Sequence, residues 1–284
     1  MKLDHLVINT RFQTEAAADL FTALGFTLTP RGRHTLGSIN HLVMFDDHYL
    51  ELIGLPNDGG KLRQEVLNSP GGIDGLVMQT QTPESVAADL QRKGFDMGPV
   101  QQFSRPVEID GETLDASFVT VRLAPRQVAA GRVYYCHHLT PELVWRAPWL
   151  THDNGVTGVV GLTVVGHDPA MLTKQYAELG VELDTHFVTQ ADFLENFGAL
   201  FGEPFNVFRQ HMPVLAPSPE QAVNAPDQTG SNAPRAGYFG AITLRVDAPE
   251  KLAARAAEIG LPIYVGNKRV LVALPALASY LEFI

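Results

Sequence analysis

The 284-residue sequence has a single cysteine, no long apolar run and no block of basic residues. Cys136 alone can form no disulfide within the chain, and the lack of a Cys-x-x-Cys pair excludes a thiolate zinc site. No apolar stretch approaches the roughly 18 residues a membrane span needs, because Gly, Asp or Arg interrupts the longest ones. Met1-Lys2-Leu3-Asp4-His5-Leu6-Val7 enters an apolar alternation at once and leaves no room for a secretion leader. These features predict a cytoplasmic protein with no membrane partner. The formal net charge of -10 has no offsetting Lys/Arg cluster, which excludes nucleic acid as a partner. Also missing are a Gly-rich phosphate loop, a Gly-x-Ser-x-Gly elbow and a His-Glu-x-x-His helix. An acidic globular protein that handles a small molecule is the reading that survives.

What the sequence has is a core and a repeat. Hydrophobic residues make up 45% and charged residues 18%, ordinary for a chain that folds without staples. Leu3-Asp4-His5-Leu6-Val7-Ile8-Asn9-Thr10 returns seventy positions later as Ile73-Asp74-Gly75-Leu76-Val77-Met78-Gln79-Thr80, with four identities in eight. Ala17-Ala18-Asp19-Leu20 returns as Ala87-Ala88-Asp89-Leu90, and Gly25-Phe26 as Gly94-Phe95. Weaker copies begin at Gly161-Leu162-Thr163-Val164-Val165 and Gly240-Ala241-Ile242-Thr243-Leu244. Each reads as a strand and then about ten helix-forming residues that stop at Gly25, Gly94, Gly180 or Gly260, where a left-handed backbone ends the helix.

After each glycine the period changes to alternation. In the first copy residues 26–29, 39–45 and 49–53 are three expected strands, which makes the unit βαβββ. Tyr49-Leu50-Glu51-Leu52-Ile53 and Tyr280-Leu281-Glu282-Phe283-Ile284 agree at four positions of five. The punctuated stretch 146–155 separates the second copy from the third, so residues 1–150 and 156–284 are expected to be two domains. Residues 216–237 have no hydrophobic period and are expected to form a long mobile loop or flap.

Leu3-Asp4-His5-Leu6-Val7, the Gly-flanked run Gly32-Arg33-His34-Thr35-Leu36-Gly37-Ser38-Ile39-Asn40 and Tyr49-Leu50-Glu51-Leu52-Ile53 resemble the glyoxalase-like branch of the vicinal oxygen chelate superfamily. The resemblance covers nearly the whole chain. It implies an α+β fold of four βαβββ modules paired into two half-open β cups with helices outside, complete without dimerisation, so monomer or homodimer is open. It also implies a metal held in a cup by ligands from the first and last strands of two modules. A different pairing, module four with module one, would bring Glu282 beside His5 and Glu51.

By that resemblance His5 and Glu51 fill the first- and last-strand slots of module one, whereas Gly75, Gly161 and Gly240 stand in the other first-strand slots and offer no ligand. Residues 142–146, read as the last strand of module two, place an apolar residue opposite Glu51. The adjacent His137 and His138 are the available replacement, and alternation sends only one of them into the cup. We take His138, which aligns with His211 of module three. With His5 and Glu51 it makes a two-histidine, one-carboxylate set suited to Fe, Zn, Ni or Mn. His34, Ser38 and Asn40 are candidates to orient a substrate, and Arg33, Arg105 and Arg122 to anchor an acidic one.

Each has a plainer alternative. Glu51 can turn to solvent, the paired histidines can be core residues, and the 34–40 side chains can simply hold their turn. The expected function is a glyoxalase-like metal-dependent enzyme on a small oxygenated substrate, of lyase, isomerase or dioxygenase type, with Glu51 moving the proton. The alternative is a metal-free protein that binds or sequesters a small molecule.

Overall fold

A computed structural model describes residues 1–109, 111–198, 213–217, 234–266 and 268–284. His211 and most of the 216–237 loop lie outside these residues. The first half contains β1 (Leu3–Arg11), α1 (Thr14–Ala23), β2 (Gly32–Arg33), β3 (Ile39–Met44), β4 (Tyr49–Gly54), α2 (Gln64–Asn68), β5 (Gly72–Gln79), α3 (Pro83–Arg92), β6 (Gln101–Ile109), β7 (Glu112–Arg122) and β8 (Arg132–His138). The second contains β9 (Val156–Gly166), α4 (Pro169–Glu178), β10 (Asp184–Val188), α5 (Gln190–Phe193), β11 (Val214–Leu215), β12 (Pro234–Arg235), β13 (Gly237–Val246), α6 (Pro249–Glu258), β14 (Ile263–Gly266), β15 (Arg269–Leu274) and β16 (Ser279–Phe283).

Four helices end alike because each stops at a glycine with positive φ: 87° at Gly25, 94° at Gly94, 76° at Gly180 and 73° at Gly260. The next residue in each case donates its N–H back to a carbonyl five residues earlier, Phe26 to Phe21, Phe95 to Leu90, Val181 to Tyr176 and Leu261 to Ala256. That bond satisfies a carbonyl the helix end leaves open.

The first sheet has eight strands in the order β2-β3-β4-β1-β5-β8-β7-β6. Modules one and two therefore meet through their first strands, β1 antiparallel to β5, and each first strand is parallel to the last strand of its own module. The sheet curls until its two edges touch, with the Thr35 N–H donating to the Ser104 carbonyl at 3.1 Å. The second sheet has six strands among the described residues, β10-β9-β13-β16-β15-β14. There β9 runs antiparallel to β13, so module four joins module three, and no strand of module four pairs with module one among the described residues.

Alternation assigns the faces. Leu6, Ile8, Leu50, Leu52, Val133 and Tyr135 point out of the first cup into a core shared with α1, α3, α4, α6 and the convex side of the second sheet. Val7, Tyr49, Ile53, Tyr134 and Cys136 point into the cup.

Two strand expectations need correcting. Residues 26–29 form no strand. Instead the Thr27 N–H donates to His152 Nδ1 of the interdomain stretch and the Thr29 N–H to the Leu42 carbonyl, which leaves a two-residue β2 at Gly32–Arg33 as the edge. Residues 142–146 are not the last strand of module two either: Pro141–Leu143 is a 3-10 turn, and β8 is that strand. In register, Val7 opposite Glu51 corresponds to Val77 opposite Tyr134, so a tyrosine stands where the second carboxylate was sought.

Gly75 fills its slot for a packing reason. A Cβ there would lie 2.8 Å from Cβ and Cγ2 of Val7, in the middle of the β1–β5 seam. Gly75→Ala is expected to destabilise the fold by about 1–3 kcal/mol through overpacking, read as a lower urea midpoint. An unchanged midpoint would show that the seam can open.

Candidate active site

The floor of the first cup carries a polar cluster that alternation alone does not produce. The register of β1 against β5 slips between Leu3 and His5, and again between Val7 and Ile8 where β5 passes Ile73-Asp74-Gly75. Such a bulge turns two consecutive side chains toward one face, so Asp4 and His5 both enter the interior. Asp4 is 1% exposed and His5 4%. The repeat places Asp74 equivalently, buried and paired with Arg132 Nη2 at 2.6 Å.

Asp4 organises two imidazoles. Its Oδ1 lies 2.6 Å from His5 Nδ1 and 3.1 Å from His138 Nε2. Burial acts to raise the Asp4 pKa, but the charges and hydrogen bonds of His138 and His5 outweigh it and hold the carboxyl well below the usual carboxylate range. An ionised carboxylate only accepts, so His5 donates from Nδ1 and turns Nε2 to the chamber. Nε2 faces Glu51 Oε2 at 3.8 Å, with the Tyr134 hydroxyl 3.4 Å away. The ring is stacked on Tyr49 at a 4.4 Å centroid distance.

Glu51 sits on β4 with its side chain inside the cup and is 6% exposed, so alternation does not turn it to solvent. Its Oε1 accepts from Asn40 Nδ2 at 2.7 Å and lies 4.0 Å from His34 Nε2. Burial pushes this carboxyl up; the neighbouring His34 and His5, the Asn40 hydrogen bond and Arg63 more than offset it, and Glu51 titrates below its ordinary value. His34 is oriented from behind by Ser38, whose hydroxyl is 2.9 Å from Nδ1. Burial, opposed by Glu51 but aided by Arg63 and Arg105, drives the His34 pKa down to about 3.

The residues singled out in the sequence are thus distributed as follows. His5, His34, Asn40 and Glu51 line one small chamber of about 30 Å³, and Ser38 supports His34 from outside it. His138 faces the cup but reaches the chamber through Asp4, packed against Trp145 at 4.8 Å. His137 alternates to the other face of β8. Arg105 and Arg122, named as anchors, also line the chamber, whereas Asp4 and Tyr134 were not singled out. The visible signal for Asp4 was its recurrence as Asp74 inside an apolar strand.

A second donor group overlaps the first: Asp4, Cys136 and His138 each bring one ligand atom within 4.8 Å of the others. Burial, with Asp4 and Glu51 nearby, pushes the Cys136 thiol well up. Using this group would also take Asp4 from the two imidazoles it holds.

A curled eight-stranded sheet of two βαβββ modules with histidine and glutamate on its concave face defines the vicinal oxygen chelate class. A glyoxalase-like domain matches residues 3–180, and the chain belongs to that family. No curated protein matches it in sequence. Among solved structures, a hypothetical protein from Staphylococcus aureus superposes over 100% of this chain and 98% of its own, with a TM-score of 0.60 and 10% identity. 4-Hydroxymandelate synthase from Streptomyces coelicolor superposes over 99% and 91%, with a TM-score of 0.53 and 10% identity. A fusion protein of a xylose isomerase-like TIM barrel and 4-hydroxyphenylpyruvate dioxygenase superposes over 99% of this chain and 48% of its own, with a TM-score of 0.53 and 10% identity. No helix among the described residues is long and apolar enough to cross a membrane.

The buried neutral His34 makes a prediction about acid stability. Its folded pKa, about 3, lies below the ordinary 6.5, so between these values the unfolded chain binds the extra proton. Stability from this group is present above pH 6.5 and is lost as pH falls toward 3. His34→Gln should flatten the pH dependence of the urea midpoint in that window, and an unaltered slope would contradict the assignment.

Proposed function

We propose that this protein is a glyoxalase-like enzyme that acts on a small oxygenated substrate at a divalent metal held by His5, His34 and Glu51. One observation carries the reading: two imidazoles, each oriented from behind by Asp4 or Ser38, present Nε2 to the two oxygens of one buried carboxylate. Outer partners of this kind fix tautomer and ring direction in metal sites. Neutral imidazole nitrogens and a carboxylate suit Fe, Zn, Ni or Mn. His34 takes the place of His138 in the set expected from sequence, because His34 lines the chamber with His5 and Glu51, whereas His138 stands outside it against Asp4.

The metal would polarise a substrate carbonyl or stabilise the charge of an enediolate. The chain supplies the rest. Glu51 is ionised, with Oε1 held by Asn40, so Oε2 is the oxygen placed to accept a substrate proton. The Tyr134 hydroxyl, whose pKa is raised by burial and by Glu51, stays protonated and can donate to a developing oxyanion. The fold itself does not choose between proton transfer and dioxygenation.

A metal-free binding protein remains the competing reading, supported by Gly75 and Tyr134 in the module-two slots, neither a ligand of the kind module one offers. Elemental analysis of tag-free protein separates the two. A single equivalent of transition metal, lost in His5→Ala, His34→Ala and Glu51→Ala but kept in Cys136→Ser, is expected. Cobalt-loaded protein should show no thiolate charge-transfer band. No metal after incubation with Fe(II), Ni, Mn and Zn would sink the enzyme reading, and metal lost in Cys136→Ser would move the site to the Asp4, Cys136 and His138 group.

A further inference from the structure

Among the described residues Arg63, Arg105, Arg122 and Arg132 stand buried or half-buried around the cup, and Arg105 is the one of these four that forms no ion pair. Arg63 Nη2 lies 2.8 Å from Glu65, Arg122 Nε 3.3 Å from Glu65, and Arg132 bridges Glu65 and Asp74 at 2.9 and 2.6 Å. Arg105, on β6, is 3% exposed, pairs with no acidic side chain among the described residues, and buries Nη2 without an acceptor. It lines the same chamber as His5, His34, Asn40 and Glu51. Guanidinium does not shed its proton in proteins, and burial of this one is offset in part by the charge of Glu51 across the chamber, with no ion-pair contact between them.

The surroundings are shaped around this side chain. A Cβ on Gly32 would sit 3.0 Å from Arg105 Nη1 and 2.3 Å from Asn40 Oδ1, so only glycine on the edge strand β2 leaves space for both. Asn40 donates from Nδ2 to Glu51 Oε1, and its Oδ1 is likewise buried without a donor. An unanswered donor and an unanswered acceptor thus border one chamber beside the candidate base. At about 30 Å³ the chamber holds roughly one water. Arg63 and Arg122 line both it and a groove of about 1270 Å³ outside, which makes their side chains the partition a ligand must move.

We propose that Arg105 is the binding residue for the carboxylate of a small carboxylic acid substrate, held in the chamber with its reacting carbon toward Glu51. The planar guanidinium fork matches a carboxylate in a way an ammonium does not. The inference rests on the proposed active site and names the substrate class that site would take. Gly32 acts through Arg105 and is a positioning residue.

The test uses full-length protein and the probes lactate and glycolate, with propane-1,2-diol as the uncharged analogue, followed by calorimetric titration at fixed ionic strength. The parent is expected to bind the acids saturably and the diol not detectably. Arg105→Gln should weaken acid binding by about tenfold or more, the scale of a lost charge-assisted hydrogen bond, Arg105→Lys by less, and Gly32→Ala should follow Arg105→Gln. Unliganded Arg105→Met should melt higher than the parent by roughly 2–4 °C, because an unpaired buried cation is removed; a purely structural arginine would give a lower melting point. Equal acid binding by Arg105→Gln, diol binding as tight as lactate, or no acid binding by the parent overturns the proposal. Metal content is measured on the same samples. Metal retained while binding ignores Arg105 refutes this inference alone, and Arg105-dependent binding without metal refutes the metal reading alone.

Discussion

The concave face of the first sheet depends on one carboxylate, Asp4, being placed between two histidines. A buried aspartate with no partners would protonate or unfold its surroundings. Here the two imidazoles keep it ionised, and the ionised form in turn dictates which ring nitrogen of His5 carries a proton. From that choice follow the direction of His5 Nε2, its approach to Glu51 and the value of the pair as a ligand set. The backbone pays once for this arrangement, in the broken β1–β5 register that brings Asp4 and His5 to the same side.

The two modules of the cup use the same bulge for different ends. Module one puts His5 behind its aspartate, whereas module two puts Gly75 there and turns Asp74 onto Arg132. Where module one ends in Glu51, module two ends in Tyr134, an uncharged donor beside the same chamber. A pseudo-symmetric scaffold thereby holds an asymmetric site. The carboxylate and imidazoles come from one copy, and aromatic and cationic groups such as Phe118, Tyr134 and Arg105 come from the other.

Much of the scaffold was legible because it rests on local rules. Gly25, Gly94, Gly180 and Gly260 announced four helix ends, and strand alternation separates Glu51 from Leu50 and Leu52, which face the outer core. The mistakes arose where tertiary contacts override local pattern. Residues 26–29 alternate like a strand, yet their hydrogen bonds go to His152 and Leu42. Residues 142–146 echo a final strand in composition, but Pro141 starts a 3-10 turn after β8 has already ended the module. That one-strand slip hid Tyr134, which holds the place of Glu51 in module two. No local rule announces a bulge, so Asp4 could be suspected only from its recurrence as Asp74.

The unsatisfied polar atoms say something that the satisfied ones cannot. A folded interior normally pairs its buried donors and acceptors, and Arg63, Arg122 and Arg132 gather as ion pairs around Glu65. Against that background Asn40 Oδ1 and Arg105 Nη2, left open at the walls of one chamber, are not explained by packing. Strain and unmet hydrogen bonds are tolerated where binding later satisfies them. The glycine at position 32 supports the same conclusion, since any larger residue would press on both groups. Glu51 offsets the charge of this guanidinium without meeting its Nη2, so the chamber keeps a buried donor that a substrate carboxylate would satisfy.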